Sequence, residues 1–101
     1  MASSYERPDD AALARLEQLV RHLAEDLGAW RKRGLRSEAE VAELKSRGGS
    51  LAGPELLQVR QRIVDLEREN QDLRLRVTVA RDQLASLSAR LVFLEDRKAA
   101  G

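Results

Sequence analysis

Apolar residues in the second half of the chain recur every three and four residues, which is the repeat of one helix face. No Pro or Gly interrupts the pattern between residues 55 and 98. In heptad notation the a positions are Leu56, Ile63, Asn70, Val77, Leu84 and Leu91, and the d positions are Val59, Leu66, Leu73, Ala80, Leu87 and Leu94. Six unbroken heptads exceed the roughly three to four that identify a coiled coil. The pattern therefore predicts one long coiled-coil helix over residues 54–98.

The seam residues also indicate how this helix pairs. β-branched Ile63 and Val77 at a, with leucine at most d positions, favour a parallel dimer. Asn70 is the one polar seam residue, and in an in-register dimer it meets its symmetry mate. Charges at neighbouring g and e positions attract in the pairs Glu55–Arg60, Arg62–Glu67, Glu69–Arg74 and Arg90–Glu95, whereas Arg76–Arg81 repels. We therefore expect a parallel homodimer with the twelve a and d residues as its interface.

The first half of the chain carries a second amphipathic segment. Residues 1–8 form a polar tail that we expect to be disordered, and residues 9–46 have helical periodicity. The apolar stripe contains Leu13, Leu16, Val20, Leu23, Leu27, Trp30, Val41 and Leu44. Gly34 and Ser37 occupy the two intervening stripe positions, and Ser37 with Glu40 resembles a helix-starting capping box. The pattern fits either one kinked helix or two helices, and both remain open.

A glycine-rich loop over residues 47–53 separates the two segments, and Pro54 suits the first position of a helix. The expected fold is all-α, either a helical hairpin or an extended rod. Outside the seam, Leu57 and Val64 near one end and Val92 and Phe93 near the other widen the apolar surface. We expect this candidate partner face to receive the N-terminal helix folded back beside the dimer. The alternative is end-to-end polymerisation.

Composition supports a helical binding protein and gives no sign of catalysis. Charged residues make up 35% and aromatic residues 3%, which is typical of long helices. The chain has no Cys and only one His, His22, which lies off the apolar stripe, so we expect no metal, no cofactor and no enzyme activity. With no apolar stretch of roughly 18 residues, the chain is predicted to have no membrane span and to be cytoplasmic.

One basic cluster supports an alternative function. Arg31, Lys32, Arg33 and Arg36 follow Trp30, and cations beside an aromatic ring suit phosphates and bases. The alternative is a nucleic-acid-associated or transcription-related regulator. However, a net charge of +1 provides no general attraction for polyanions, and cations also suit a helix C-terminus. Nucleic acid is therefore not the expected partner.

Two family resemblances concern the zipper. Asn70 within a leucine repeat resembles the dimerisation half of basic leucine zippers, but a glycine loop and Pro54 stand where their basic helix would run. The stretch Leu66-Glu67-Arg68-Glu69-Asn70-Gln71-Asp72-Leu73, with heptads on both sides, resembles ZapB-type bacterial cell-division coiled-coil proteins over about residues 56–94. That resemblance implies a small cytoplasmic dimer that assembles further and joins the division ring through a partner protein. The expected function is a non-enzymatic homodimeric adaptor or scaffold in bacterial cell division or septum assembly.

Overall fold

The computed structural model describes residues 8–100, which form two long helices in a hairpin. Helix α1 is Pro8–Gly48 and helix α2 is Gly53–Ala100. The prediction of an all-α helical fold is confirmed, and of the two open shapes the chain has the hairpin. The predicted polar tail lies outside the described residues except for Pro8.

Helix α1 runs through Gly34 and Ser37 without a break. Neither residue has positive φ, so no cap or turn separates the segments on either side. A glycine inside a helix costs only about 1 kcal/mol relative to alanine, and the apolar stripe continues in the same register beyond it. Packing of that stripe against α2 outweighs the local cost, which decides the open question in favour of one helix.

The connection between the helices is a short turn over residues 49–52. The amide of Ser50 donates to the carbonyl of Arg47 at 3.1 Å, and the Ser50 hydroxyl donates to the same carbonyl at 2.9 Å. These bonds satisfy a carbonyl at the C-terminus of α1. Gly53 has a φ of 63°, a left-handed conformation that residues with a Cβ rarely adopt, and it begins α2. The turn is therefore shorter than the predicted loop over residues 47–53.

Ion pairs between the helices show their antiparallel register. They are Arg33–Glu69 at 2.7 Å, Arg74–Glu38 at 2.9 Å, Lys45–Glu67 at 3.0 Å, Arg62–Glu40 at 3.1 Å and Lys98–Asp10 at 3.3 Å. Residues 33–38 thus lie opposite residues 69–74, and residues 40–45 lie opposite 62–67. Because each pair is exposed and contributes at most about 1 kcal/mol, the pairs specify register more than stability.

The core lies along a single line between the helices. Its buried apolar residues are Leu13, Leu27 and Val41 from α1 and Leu66, Leu73 and Ala80 from α2, joined by the buried polar residues Ser37 and Asn70. All of these residues belong to the two stripes recognised in the sequence. The molecule measures 76 × 24 × 14 Å, so it is two helices wide and one helix thick. Such a layer covers one stripe of each helix and leaves both outer faces open.

Candidate interaction site

The predicted zipper seam faces α1 in this structure. Of its twelve residues, Leu66, Asn70, Leu73 and Ala80 are buried and the other eight are half-buried. The hairpin therefore gives the seam a partner within the same chain. A parallel homodimer through these residues stays a prediction, and it requires α1 to leave the seam.

Charges that favoured parallel pairing are matched by α1 instead. Arg62, Glu67, Glu69 and Arg74 each form an ion pair with a residue of α1. In an antiparallel coiled coil, g positions face g positions and e positions face e positions. The pairs Arg33–Glu69 and Glu40–Arg62 join g positions, while Glu38–Arg74 and Lys45–Glu67 join e positions. The same alternation of charge therefore suits both pairing modes.

Helix α1 does not cover the candidate partner face of α2. The exposed fractions are 67% for Leu57, 47% for Val64, 56% for Val92 and 60% for Phe93. This differs from the expectation that the returning helix packs on them. The apolar stripe of α1 contains only a and d positions. It buries the most apolar area when it packs against the a and d positions of α2, so it does not extend over the flanking b and c positions. The four flanking residues remain available to another molecule.

One outer face, here called the e face, contains the e and b positions of both helices. A groove of about 480 Å³ lies on this face. Gly34, Asn70, Leu73 and Val77 line the groove from the seam. Arg31, Leu35 and Glu38 of α1 and Arg74, Thr78 and Arg81 of α2 line it from the e and b positions. Trp30 completes the groove, which combines apolar surface with three arginines.

The opposite face, here called the g face, contains the g and c positions. Trp30 also reaches this face, where it lines a shallow groove of about 280 Å³ with Leu75, Val79 and Ala80. Leu75 and Val79 are 64% and 47% exposed. A second groove, of about 580 Å³, is lined by Leu19, Leu23 and Leu87, among others. Both faces of the layer therefore carry large exposed apolar side chains.

Two buried polar side chains occupy one layer of the seam. Ser37 and Asn70 are 6% and 8% exposed, and the ion pairs on either side place them opposite each other. Within residues 8–100, the Ser37 hydroxyl oxygen and the Asn70 Oδ1 have no hydrogen-bond partner. An unsatisfied buried polar group costs about 1–3 kcal/mol. The sequence predicts Asn70 in the core, whereas Ser37 is not a helix cap but a buried seam residue inside α1, as its position in the apolar stripe indicates.

The basic cluster does not form one surface patch. Arg33 is paired with Glu69, and Arg31 lines the groove on the e face. Arg36, at a c position, lies on the same face of the layer as Arg33, and Lys32 points outward from the f position between them, so the cluster is divided between the two faces. The helix continues to Gly48, where Lys45 and Arg47 occupy the last turn, so the cluster does not stabilise a helix C-terminus. Folding instead places Arg31 beside Arg81, a grouping that no sequence window contains.

Other candidate chemistry is sparse in the described part of the chain. His22 is exposed, and no three His, Asp or Glu side chains among residues 8–100 group in a way that could hold a metal ion. Neither of the two described helices is long and apolar enough to cross a membrane.

The fold and the seam define an antiparallel two-helix coiled coil with two open faces. Comparison with protein-family models, curated proteins and solved structures found no match.

Proposed function

We propose that this chain is a non-enzymatic cytoplasmic coiled-coil adaptor or scaffold that binds copies of itself and other proteins through its outer faces. The supporting observation is the exposure of eight large apolar side chains, at 47–67% each. They are Leu19, Leu35, Leu57, Val64, Leu75, Val79, Val92 and Phe93. Their number and their presence on both faces favour protein partners.

Such a hairpin gains stability from a partner because it is a single layer of helices. A layer 14 Å thick has no second layer to cover its outer faces. Contiguous apolar surface on a soluble protein marks interaction sites, and stacking two hairpins produces a four-helix bundle with a wider core. Association would therefore bury apolar area that folding alone leaves in water.

The resemblance of Leu66 to Leu73 and its flanking heptads to ZapB-type proteins names the first assembly to test, the bacterial division ring. The expected observation is a band at mid-cell when the full chain carries a fluorescent tag in its native cell. A uniform signal through the cell cycle would remove division from the proposal while leaving the scaffold role.

Sedimentation equilibrium of the full chain, from micromolar to millimolar concentration, tests the scaffold role itself. We expect the average mass to rise above that of one 11.3 kDa chain. Substituting exposed Leu35 and Val92, or Leu19 and Val79, by Gln keeps the seam intact and compares the two faces. A strictly monomeric chain at every concentration would contradict self-association.

The alternative of nucleic-acid binding is supported by one observation, the grouping of Trp30, Arg31, Arg74 and Arg81 in the e-face groove. Phosphate contacts give binding that weakens steeply with salt. A salt titration with generic DNA and RNA separates the two functions, with Arg31→Gln and Arg81→Gln as the variants. Absence of binding at low salt would remove this alternative.

A further inference from the structure

The e face carries a regular series of facing e positions whose charges change character along the molecule. Nearest the turn, Lys45 and Glu67 attract, and so do Glu38 and Arg74 in the next heptad. One heptad further, the facing residues are Arg31 and Arg81, both cationic, which we call the basic layer. Folding therefore brings two arginines together where the previous layers hold opposite charges.

Further from the turn, the same series changes sign. The next facing e positions are Ala24 and Ser88, which we call the small layer. One more heptad leads to Glu17 and Glu95, which we call the acidic layer. Two layers of like charge thus flank a layer of small side chains at equal separations of seven residues in each helix.

The charges of both unmatched layers are free to act on another molecule. Within residues 8–100, none of Arg31, Arg81, Glu17 and Glu95 forms an ion pair, and all four are exposed. Arg31 and Arg81 both line the groove on the e face. A like-charge contact across the hairpin is unfavourable by itself, so a second molecule with the opposite charge at the same spacing would relieve it.

We propose that this second molecule is another copy of the chain, docked antiparallel through the e faces with the small layers on the two-fold axis. In α1, Arg31 lies seven residues after Ala24 and Glu17 lies seven before it. In α2, Arg81 lies seven residues before Ser88 and Glu95 seven after it. The two-fold rotation therefore places each basic layer on the acidic layer of the other copy. Arg31 faces Glu17 of the second copy in α1, and Arg81 faces Glu95 of the second copy in α2.

Side-chain size along the face fits this arrangement. Ala24 and Ser88 at the axis, and Gly28 nearby, allow the helices to approach closely, and a Cβ at Gly28 would meet nothing within 4 Å. Away from the axis, Leu35 of one copy falls opposite Ala14 of the other, and Val92 falls opposite Ala85. Leu35 and Val92 are 67% and 56% exposed in the single chain, so docking covers two of its large apolar side chains.

Other arrangements of the same face are less favourable. Parallel docking at one level would place arginine over arginine and glutamate over glutamate. Antiparallel docking about the basic layer would bring four arginines together. Only the axis at the small layer satisfies both charged layers at once, and the contact is isologous, as in most homodimers. The seam between α1 and α2 stays closed, which distinguishes this dimer from a parallel zipper.

This docking rests on the self-association in the proposed function, and charge reversal tests the two separately. The variants are Arg31→Glu with Arg81→Glu, and Glu17→Arg with Glu95→Arg. Each double variant keeps the two members of a layer alike in sign, so the like-charge contact across one hairpin is retained. Between copies, every attractive pair becomes repulsive. We expect each variant alone to dimerise about tenfold more weakly or worse, since several exposed pairs change together.

An equimolar mixture of the two double variants tests whether the e faces pair through these charges, because all the pairs between unlike copies attract again. Sedimentation velocity should show dimerisation restored to the wild-type level at low salt. The control is Lys32→Glu with Arg68→Glu, which makes the same charge change at exposed positions outside the e face and should leave dimerisation unaltered. If the wild type dimerises and both double variants dimerise equally well, the docking mode is wrong but self-association stands. A monomeric wild type would overturn both.

A single cysteine tests the position of the axis, since the chain has no native Cys. Ala24→Cys places a thiol on the two-fold axis, so mild oxidation should link two chains rapidly through residue 24. Ala39→Cys, which lies on the outer edge of α1, is the matched control and should link slowly. Equal rates for the two variants would contradict the proposed axis.

Discussion

At the scale of the residue, whether the Asn70 side chain is hydrogen-bonded depends on which helix packs against it. In a parallel zipper its amide would meet an identical amide, and the two would hydrogen-bond. In the hairpin it lies opposite Ser37, and its Oδ1 is buried without a partner. Polar seam residues specify register at a cost in stability, because a shifted register buries them against apolar neighbours. In the described hairpin, however, neither oxygen is paired, so the Ser37 and Asn70 layer lowers stability, and the ion pairs on either side specify how α1 aligns with α2.

Replacing this amide should stabilise the hairpin. We expect Asn70→Leu to raise the free energy of unfolding by about 1–3 kcal/mol, because the variant removes an unsatisfied buried group. Thermal and urea unfolding followed by circular dichroism measure the change. The control is Gln58→Leu, an exposed position on the same helix, with an expected effect within about 0.5 kcal/mol. A less stable Asn70→Leu protein would show that the amide is hydrogen-bonded in solution.

At the scale of the element, two glycines that both interrupt the predicted helical pattern have different roles. Gly34 lies inside α1 with helical backbone, and a Cβ built there meets nothing within 4 Å. Gly53 begins α2 at a φ of 63°, where a Cβ is strained whatever the space around it. The sequence marks both as helix interruptions. Only the second one lies at a helix boundary, because the stripe of α1 continues beyond Gly34 and packs on α2.

The same substitution should therefore change stability in opposite directions at these positions. Gly34→Ala should raise the free energy of unfolding by about 0.5–1 kcal/mol, since alanine lowers the entropy cost of forming the helix. Gly53→Ala should lower it by about 1–2 kcal/mol through left-handed strain. Urea unfolding of each variant provides the comparison. Destabilisation by Gly34→Ala would mean that α1 bends at this residue in solution.

At the scale of the whole molecule, the hairpin and the zipper compete for one surface. The a and d row of α2 can face α1 or a second α2, and the flanking charges suit either partner. In the hairpin, Arg62, Glu67, Glu69 and Arg74 are all matched by α1. A partner in the same chain is held at high effective concentration by the short turn, which favours the closed hairpin.

A distance across the molecule tests this competition. In the described register Glu25 and Asp82 lie opposite each other at outward f positions, so cysteines there carry spin labels without disturbing the seam. For two adjacent helices of about 10–12 Å diameter, we expect a label separation on the order of 25 Å. Pulsed electron resonance on chains diluted with unlabelled protein isolates the intramolecular distance. A separation beyond about 60 Å would indicate the extended rod, because residues 25 and 82 are fifty-seven positions apart along the chain.

The sequence by itself determined two helical segments, the glycine-rich boundary between them and the residues that line the seam, but it left open whether α1 is continuous. These features depend on local spacing, since heptad repeats, glycines and proline act within a few residues of each other. The tertiary structure decided what covers the seam. An apolar stripe on one helix can pack against any complementary stripe, and the heptad pattern does not say whether that stripe belongs to α1 or to a second chain. It also brought Arg31 beside Arg81 and Ser37 opposite Asn70. Those groupings depend on the antiparallel register, which arises only when two segments far apart in the chain pack together.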